Sequence, residues 1–204
     1  VKLPDFTASR DLDRIAAADW GLDPFALVEA AGRACARGLR DARPELFVRP
    51  GLQALGLIGA GNNGADALVL LRALIFEGRL KSARTALVVT KADPPGVRTP
   101  RSEALKALRG LGVAVYAAHQ DLAAAARALA GADLIIDGIA GTGLDAALRG
   151  TAADLVAAVQ RACSRGADDD DRPPPLLVAV DLPSGLFGGW RPGLPVLRAD
   201  LTLA

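Results

Sequence analysis

The sequence predicts an α/β fold of three layers, a mostly parallel sheet with helices on both faces. Short, nearly continuous apolar runs alternate with longer stretches of helical spacing, the pattern of strands buried on both sides and joined by crossover helices. Apolar residues are 51% of the 204 positions and aromatics only 4%, so a sizeable core must be filled by Ala, Leu and Val. Gly-rich turns follow several of the apolar runs. In Rossmann-like sheets, ligands gather at such turns, beyond the C-terminal ends of the strands.

The elements follow in order. Asp11 to Asp19 and Pro24 to Arg40 read as helices. The second carries Phe25, Val28, Ala31, Cys35 and Leu39 at helical spacing, a face for packing on the sheet or on another subunit, so a homodimer is admitted. Strands are expected at Leu52 to Ile58, Ala86 to Thr90, Val113 to Tyr116, Leu134 to Ile136 and Leu176 to Val180. Between them, Asn63 to Phe76, Ser102 to Leu111, Asp121 to Leu129 and Ala152 to Cys163 have helical composition. The run from Gly166 to Pro175 joins four aspartates to three prolines and reads as a solvated loop rather than a metal site.

Lys plus Arg number 24 and Asp plus Glu 23, a net charge of +1, which argues against a dedicated nucleic-acid or membrane-surface protein. No apolar run approaches the roughly 20 residues of a membrane span, and Arg72 interrupts the best candidate, Ala67 to Phe76. Charged Lys2, Asp5, Arg10 and Asp11 break any leader-like stretch at the start, so a soluble cytoplasmic protein is expected. Cys35 and Cys163 make no disulfide framework and no metal cluster, and read as reduced, buried thiols. The lone His119 reads as a surface or capping residue.

Three turns carry chemistry. Gly59-Ala60-Gly61-Asn62-Asn63-Gly64-Ala65-Asp66 matches G-x-G-x-x-G between a strand and a helix, where backbone amides can meet a phosphate. The acid that normally holds a ribose is missing from the tip of the next strand, Val89-Thr90-Lys91, which disfavours ordinary dinucleotide binding and an NAD-dependent oxidoreductase. Asp137-Gly138-Ile139-Ala140-Gly141-Thr142-Gly143-Leu144 places a carboxylate at a strand tip beside a turn able to wrap a phosphate or hold a cation. Asp181-Leu182-Pro183-Ser184-Gly185 places a second carboxylate where it can give or take a proton, with Ser184 either a cation ligand or part of a turn.

Together these turns resemble the NAD(P)H-hydrate epimerase family, the YjeF N-terminal domain. The family's G-x-G-N-N-G-G-D-G is similar to Gly59 to Ala67, its D-x-x-x-G-T-G-L to Asp137 to Leu144, and its V-D-x-P-S-G to Val180 to Gly185. Its L-M-E-x-A-G helix resembles Leu27 to Gly32, and its A-D-x-T strand resembles Ala199 to Thr202. The resemblance covers nearly the whole chain as a single domain, 1–204, truncated at its C-terminus or fronting a larger protein.

The resemblance implies an isomerase that interconverts the R and S forms of hydrated NADH and NADPH (NADHX and NADPHX), with a fused or separate hydrate dehydratase as partner. It implies that Asn62, Asn63, Gly64, Ala65 and Asp66 contact substrate, and that Gly141, Thr142, Gly143, Leu144, Asp145, Ala146 and Ala147 hold its phosphates. Asp181 would bind substrate and be the catalytic acid/base. Asn63, Asp137 and Ser184 would bind a potassium ion, and one carboxylate with neutral oxygens suits a hard, weakly charged cation. Four positions depart from the family pattern. Ala65 and Ala67 stand where it has glycines, Ala30 where Asn is frequent, and Phe187 where an acid or amide is usual. If the two alanines need positive φ or close ligand approach, the alternative is a non-catalytic ligand- or RNA-binding scaffold on the same fold.

Overall fold

The computed structural model describes residues 11, 15, 16, 18–164 and 173–204. Of the first expected helix, residues 11, 15, 16 and 18 are helical, Asp19 is a turn, and residues 12–14 and 17 lie outside the described residues. So does most of the aspartate-proline run, where only Pro173 to Pro175 are described, without regular structure.

Asp23 caps the first long helix, α1 (Pro24–Ala42), by accepting the Phe25 N–H at 2.9 Å. A 3₁₀ turn at Pro44–Val48 leads into β1 (Ala54–Ile58), all five of whose residues are buried. Then follow α2 (Asn62–Phe76), β2 (Thr85–Val89), α3 (Pro100–Gly110), β3 (Ala114–Ala117), α4 (Leu122–Ala130) and β4 (Leu134–Gly138). The chain ends with α5 (Gly150–Cys163), β5 (Leu176–Val180) and β6 (Leu201–Leu203). α3 starts two residues earlier than the apolar spacing predicts. Pro100 occupies its first turn, and Thr99 and Ser102 form a reciprocal capping box with bonds of 3.0 and 2.8 Å.

All described strand pairs are parallel, in the order β3-β2-β1-β4-β5-β6. The chain runs outward from β1 to β3, then returns to the other side of β1. That reversal puts the switch point between β1 and β4, where an open parallel sheet leaves a crevice beyond its strand ends. The final strand is pinned by Asp200, whose carboxylate accepts the Leu177 N–H while its own N–H donates to Leu177 O, both at 2.8 Å.

Alternating strand residues feed two cores. Leu87, Leu134 and Ile136 face one side, against Leu68, Leu71 and Leu74 of α2 and Leu108 of α3. Leu55, Leu57 and Ile135 face the other, against Leu129 of α4 and Leu155, Val156 and Val159 of α5. α1 packs on α2 through Val28, Gly32, Ala36 and Leu39. The expected stripe therefore shifts: Ala31 is exposed, and Gly32 takes the contact because a Cβ there would lie 2.5 Å from that of Val69. Cys35 packs on the first core and Cys163 on the second, so the sheet separates two free thiols. Among the described residues no helix is long and apolar enough to cross a membrane.

Candidate active site

The three turns singled out in the sequence leave β1, β4 and β5, which are consecutive neighbours in the sheet. Register places Ile58 beside Gly138 and Asp137 beside Ala179, so the turns emerge at one level. They are then cross-bonded. The Gly59 N–H donates to Gly138 O at 2.9 Å, the Ser184 N–H to Asp137 Oδ2 at 2.8 Å, and the Thr142 N–H to Asp181 Oδ2 at 2.6 Å. Such packing is so close that a Cβ on Gly59 would sit 1.8 Å from the Ile139 carbonyl oxygen.

Asp137 is fully buried at the end of β4. Besides Ser184 N–H, its carboxylate accepts the Ser184 hydroxyl at 2.5 Å and the Ile139 N–H at 3.2 Å. Burial dominates those donors and raises its pKa from 3.8 to about 6. Ser184, equally buried, accepts the Ala140 N–H on the same hydroxyl oxygen at 2.9 Å. Asn63, in the first turn of α2, presents its backbone carbonyl to Gly138, where an added Cβ would lie 2.9 Å from it. Both polar atoms of the Asn63 amide are buried without a hydrogen-bond partner. A buried amide without a partner is expensive unless a ligand satisfies it. One carboxylate, one amide and one hydroxyl fit a hard cation of low charge, so these residues suit the implied ion.

Asp181 is different. It is half-buried and, with φ of 64°, is the only non-glycine among the described residues in the left-handed region. Asp tolerates that region better than most side chains, yet holding it there costs on the order of 1 kcal/mol or more and needs support from its surroundings. The support is Gly141. A Cβ at that position would lie 2.1 Å from Asp181 Oδ2, so only glycine leaves room for the carboxylate to receive the Thr142 amide. No described group donates to Oδ1.

The remaining sequence-derived positions divide by exposure. Asn62, Gly143, Asp145 and Ala146 are exposed; Asp66, Thr142, Leu144 and Ala147 are half-buried; Gly64 and Gly141 are buried. Gly61, the N-cap of α2, offers no side-chain cap, leaving the first-turn amides open to an anion. Ala65 and Ala67 both lie within α2 with their methyls in the core, and neither has positive φ. The Ala67 methyl fills the space over Gly138, where an added Cβ would meet it at 2.5 Å. His119 is exposed in the turn after β3.

Sequence reasoning missed Arg101. Only 3% exposed, it donates from Nε to Gly59 O at 2.6 Å and from Nη2 to Lys91 O at 2.8 Å, while Nη1 pairs with Asp93. An arginine in a helix's first turn ordinarily reads as solvated, and nothing in its spacing signals otherwise. Cys35 was read only as a packing residue. Burial first, and then the charges of Asp66 and Asp181, push its thiol up to about 11.

The YjeF-related protein N-terminus family profile matches residues 24–204. The chain belongs to that family. The chain is similar over its whole length, at 27% identity, to the NAD(P)H-hydrate epimerase of Rhodopirellula baltica, 75% of which it covers. Over 84% of the chain it is 37% identical to that of Clavibacter sepedonicus, covering 69% of that protein. The bifunctional NAD(P)H-hydrate repair enzyme Nnr of Hyperthermus butylicus is 32% identical over 91% of the chain, which spans only 31% of that longer relative. The crystal structure of yeast ynu0, YNL200c, superposes with a TM-score of 0.78 at 19% identity, covering 99% of this chain and 79% of the yeast chain, and so shares its fold.

Proposed function

We propose that this YjeF N-terminal domain interconverts the R and S epimers of hydrated NADH and NADPH, the activity its stand-alone relatives are named for. The observation that carries the reading is Asp181: a strained carboxylate at the tip of β5, locked by Thr142 at one oxygen and open at the other. Inverting C6 of the hydrated nicotinamide requires one bond of this hemiaminal carbon, to the hydroxyl or to the ring nitrogen, to break and to re-form on the opposite face. The group that leaves must gain a proton as its bond breaks, and the group that returns must lose one. Asp181 Oδ1 is the atom for both transfers, and the fixed Oδ2 keeps it aimed.

Asn63, Asp137 and Ser184 would hold a potassium ion beside this carboxylate. When bound, the ion supplies positive potential that balances Asp137 and favours the ionised form of Asp181 between the two transfers. The residues 141–147 and the uncapped start of α2, with Asn62 to Asp66, form the walls that receive the substrate's phosphates and ribose. Ala65 contributes its backbone alone, since its methyl is in the core. The two alanines that set this chain apart therefore do not favour a non-catalytic scaffold. A hydrate dehydratase is the expected downstream partner, because epimerisation is useful where only one epimer is consumed.

The test is to supply the purified chain with a single separated epimer of NADPH hydrate and follow appearance of the other by chromatography. Exchange well above the spontaneous rate, lost in Asp181→Asn, supports the reading. Exchange no faster than buffer alone, or wild-type turnover in that variant, refutes it.

A further inference from the structure

The tip of β2 is not used by this chemistry, yet it is laced to the site. The Thr90 N–H and hydroxyl both donate to Ile58 O, at 2.9 and 3.2 Å. One step on, the single guanidinium of Arg101 spans Gly59 O and Lys91 O, so the glycine turn and Lys91 hang on one rigid plane. Lys91 is exposed, and among the described residues no carboxylate pairs with its ammonium. The acid nearest in sequence, Asp93, is neutralised by Arg101. Arg98, the other cation of this loop, is committed to Glu103 at 3.5 Å and to the face of Phe25, 4.6 Å from the ring centroid.

In dinucleotide-binding Rossmann sheets, the group at this tip sits beside the nucleotide's ribose. A carboxylate there accepts the 2′-hydroxyl and repels a 2′-phosphate, whereas a cation does the reverse. We propose that Lys91 is a specificity-determining residue that pairs with a ribose 2′-phosphate, so that the chain favours NADPH hydrate over NADH hydrate. This rests on the epimerase reading above. One charge-assisted contact at an exposed site gives a preference of roughly five- to tenfold, and it shrinks as ionic strength rises.

The experiment compares kcat/KM for NADPH hydrate and NADH hydrate at low salt, in wild type, Lys91→Gln and Lys91→Arg. The expected result is a wild-type ratio of about five to ten that collapses toward one in Lys91→Gln and is retained in Lys91→Arg. A wild-type ratio near one, or a ratio that survives in Lys91→Gln, overturns the proposal. Absence of turnover with both substrates in wild type is instead a failure of the epimerase reading. Calorimetry with 2′,5′-ADP and ADP then decides the subsite alone. Tighter binding of 2′,5′-ADP that is lost in Lys91→Gln supports it, and equal binding of the two overturns it.

Discussion

Replacing Gly141 by Ala should disable the site while leaving the fold. The added Cβ would lie 2.1 Å from Asp181 Oδ2, 3.0 Å from Cγ and 3.2 Å from Cβ, where real contacts essentially never fall below 3.0 Å. The carboxylate must therefore retreat by about 1 Å, giving up the 2.6 Å bond from the Thr142 N–H. A displacement of that size at a reacting group costs roughly a hundredfold in rate. Overpacking at one turn costs ~1–3 kcal/mol, or a fall of several degrees in Tm for a chain of this size. Epimer exchange measured alongside thermal unfolding separates the two effects. Gly143→Ala is the structural control, since its Cβ meets open space and Tm should not move. A folded Gly141→Ala protein with kcat/KM within twofold of wild type would refute the claim that Gly141 makes room for Asp181.

Other perturbations divide the site by role. Asp181→Asn should lose turnover and keep its Tm within a degree or two, because Asn also tolerates positive φ, whereas Asp181→Val should unfold more readily by ~1–3 kcal/mol. Asn63→Ala should be neutral or slightly stabilising without potassium, since it removes a buried amide that has no protein partner, and should abolish any rise in Tm on adding potassium chloride in place of lithium chloride. Ser184→Ala removes both a donor to Asp137 and the acceptor of the Ala140 N–H, and should cost ~1–3 kcal/mol by denaturant unfolding. The Asp137 carboxyl has a folded pKa of about 6 against 3.8, so its contribution to stability is fully present below about pH 4 and is lost as pH rises through about 6. In potassium-free buffer, unfolding free energy measured across that window should fall by on the order of 3 kcal/mol from this group, and Asp137→Asn should remove that slope.

The parallel sheet was legible because its central strands are buried on both faces and so carry unbroken apolar runs; Leu134-Ile135-Ile136 is strand and nothing else. The three site turns were legible because strand, glycine and oxygen-bearing side chain follow one another in sequence. Strand order was not, since nothing local in Leu176 to Val180 says that it lies beside β4. On α1 the stripe holds at Val28 and Leu39 and fails at Ala31, because its neighbour Gly32 carries no hydrophobic signal although it is what lets Val69 approach. Asp181's left-handed backbone left no trace, because Val-Asp-Leu-Pro is equally compatible with extended chain. Arg101 was invisible for a related reason: two of its three partners are backbone carbonyls, which every sequence possesses.

The central claim is that three turns build one pocket in which a cation and one carboxylate face the same substrate. Crystals grown with rubidium in place of potassium test it most directly, through the ion's anomalous signal. A peak is expected in contact with Asn63 Oδ1 and the Asp137–Ser184 pair, adjacent to Asp181. A peak bound elsewhere on the chain, or none at that position at saturating rubidium, would contradict it.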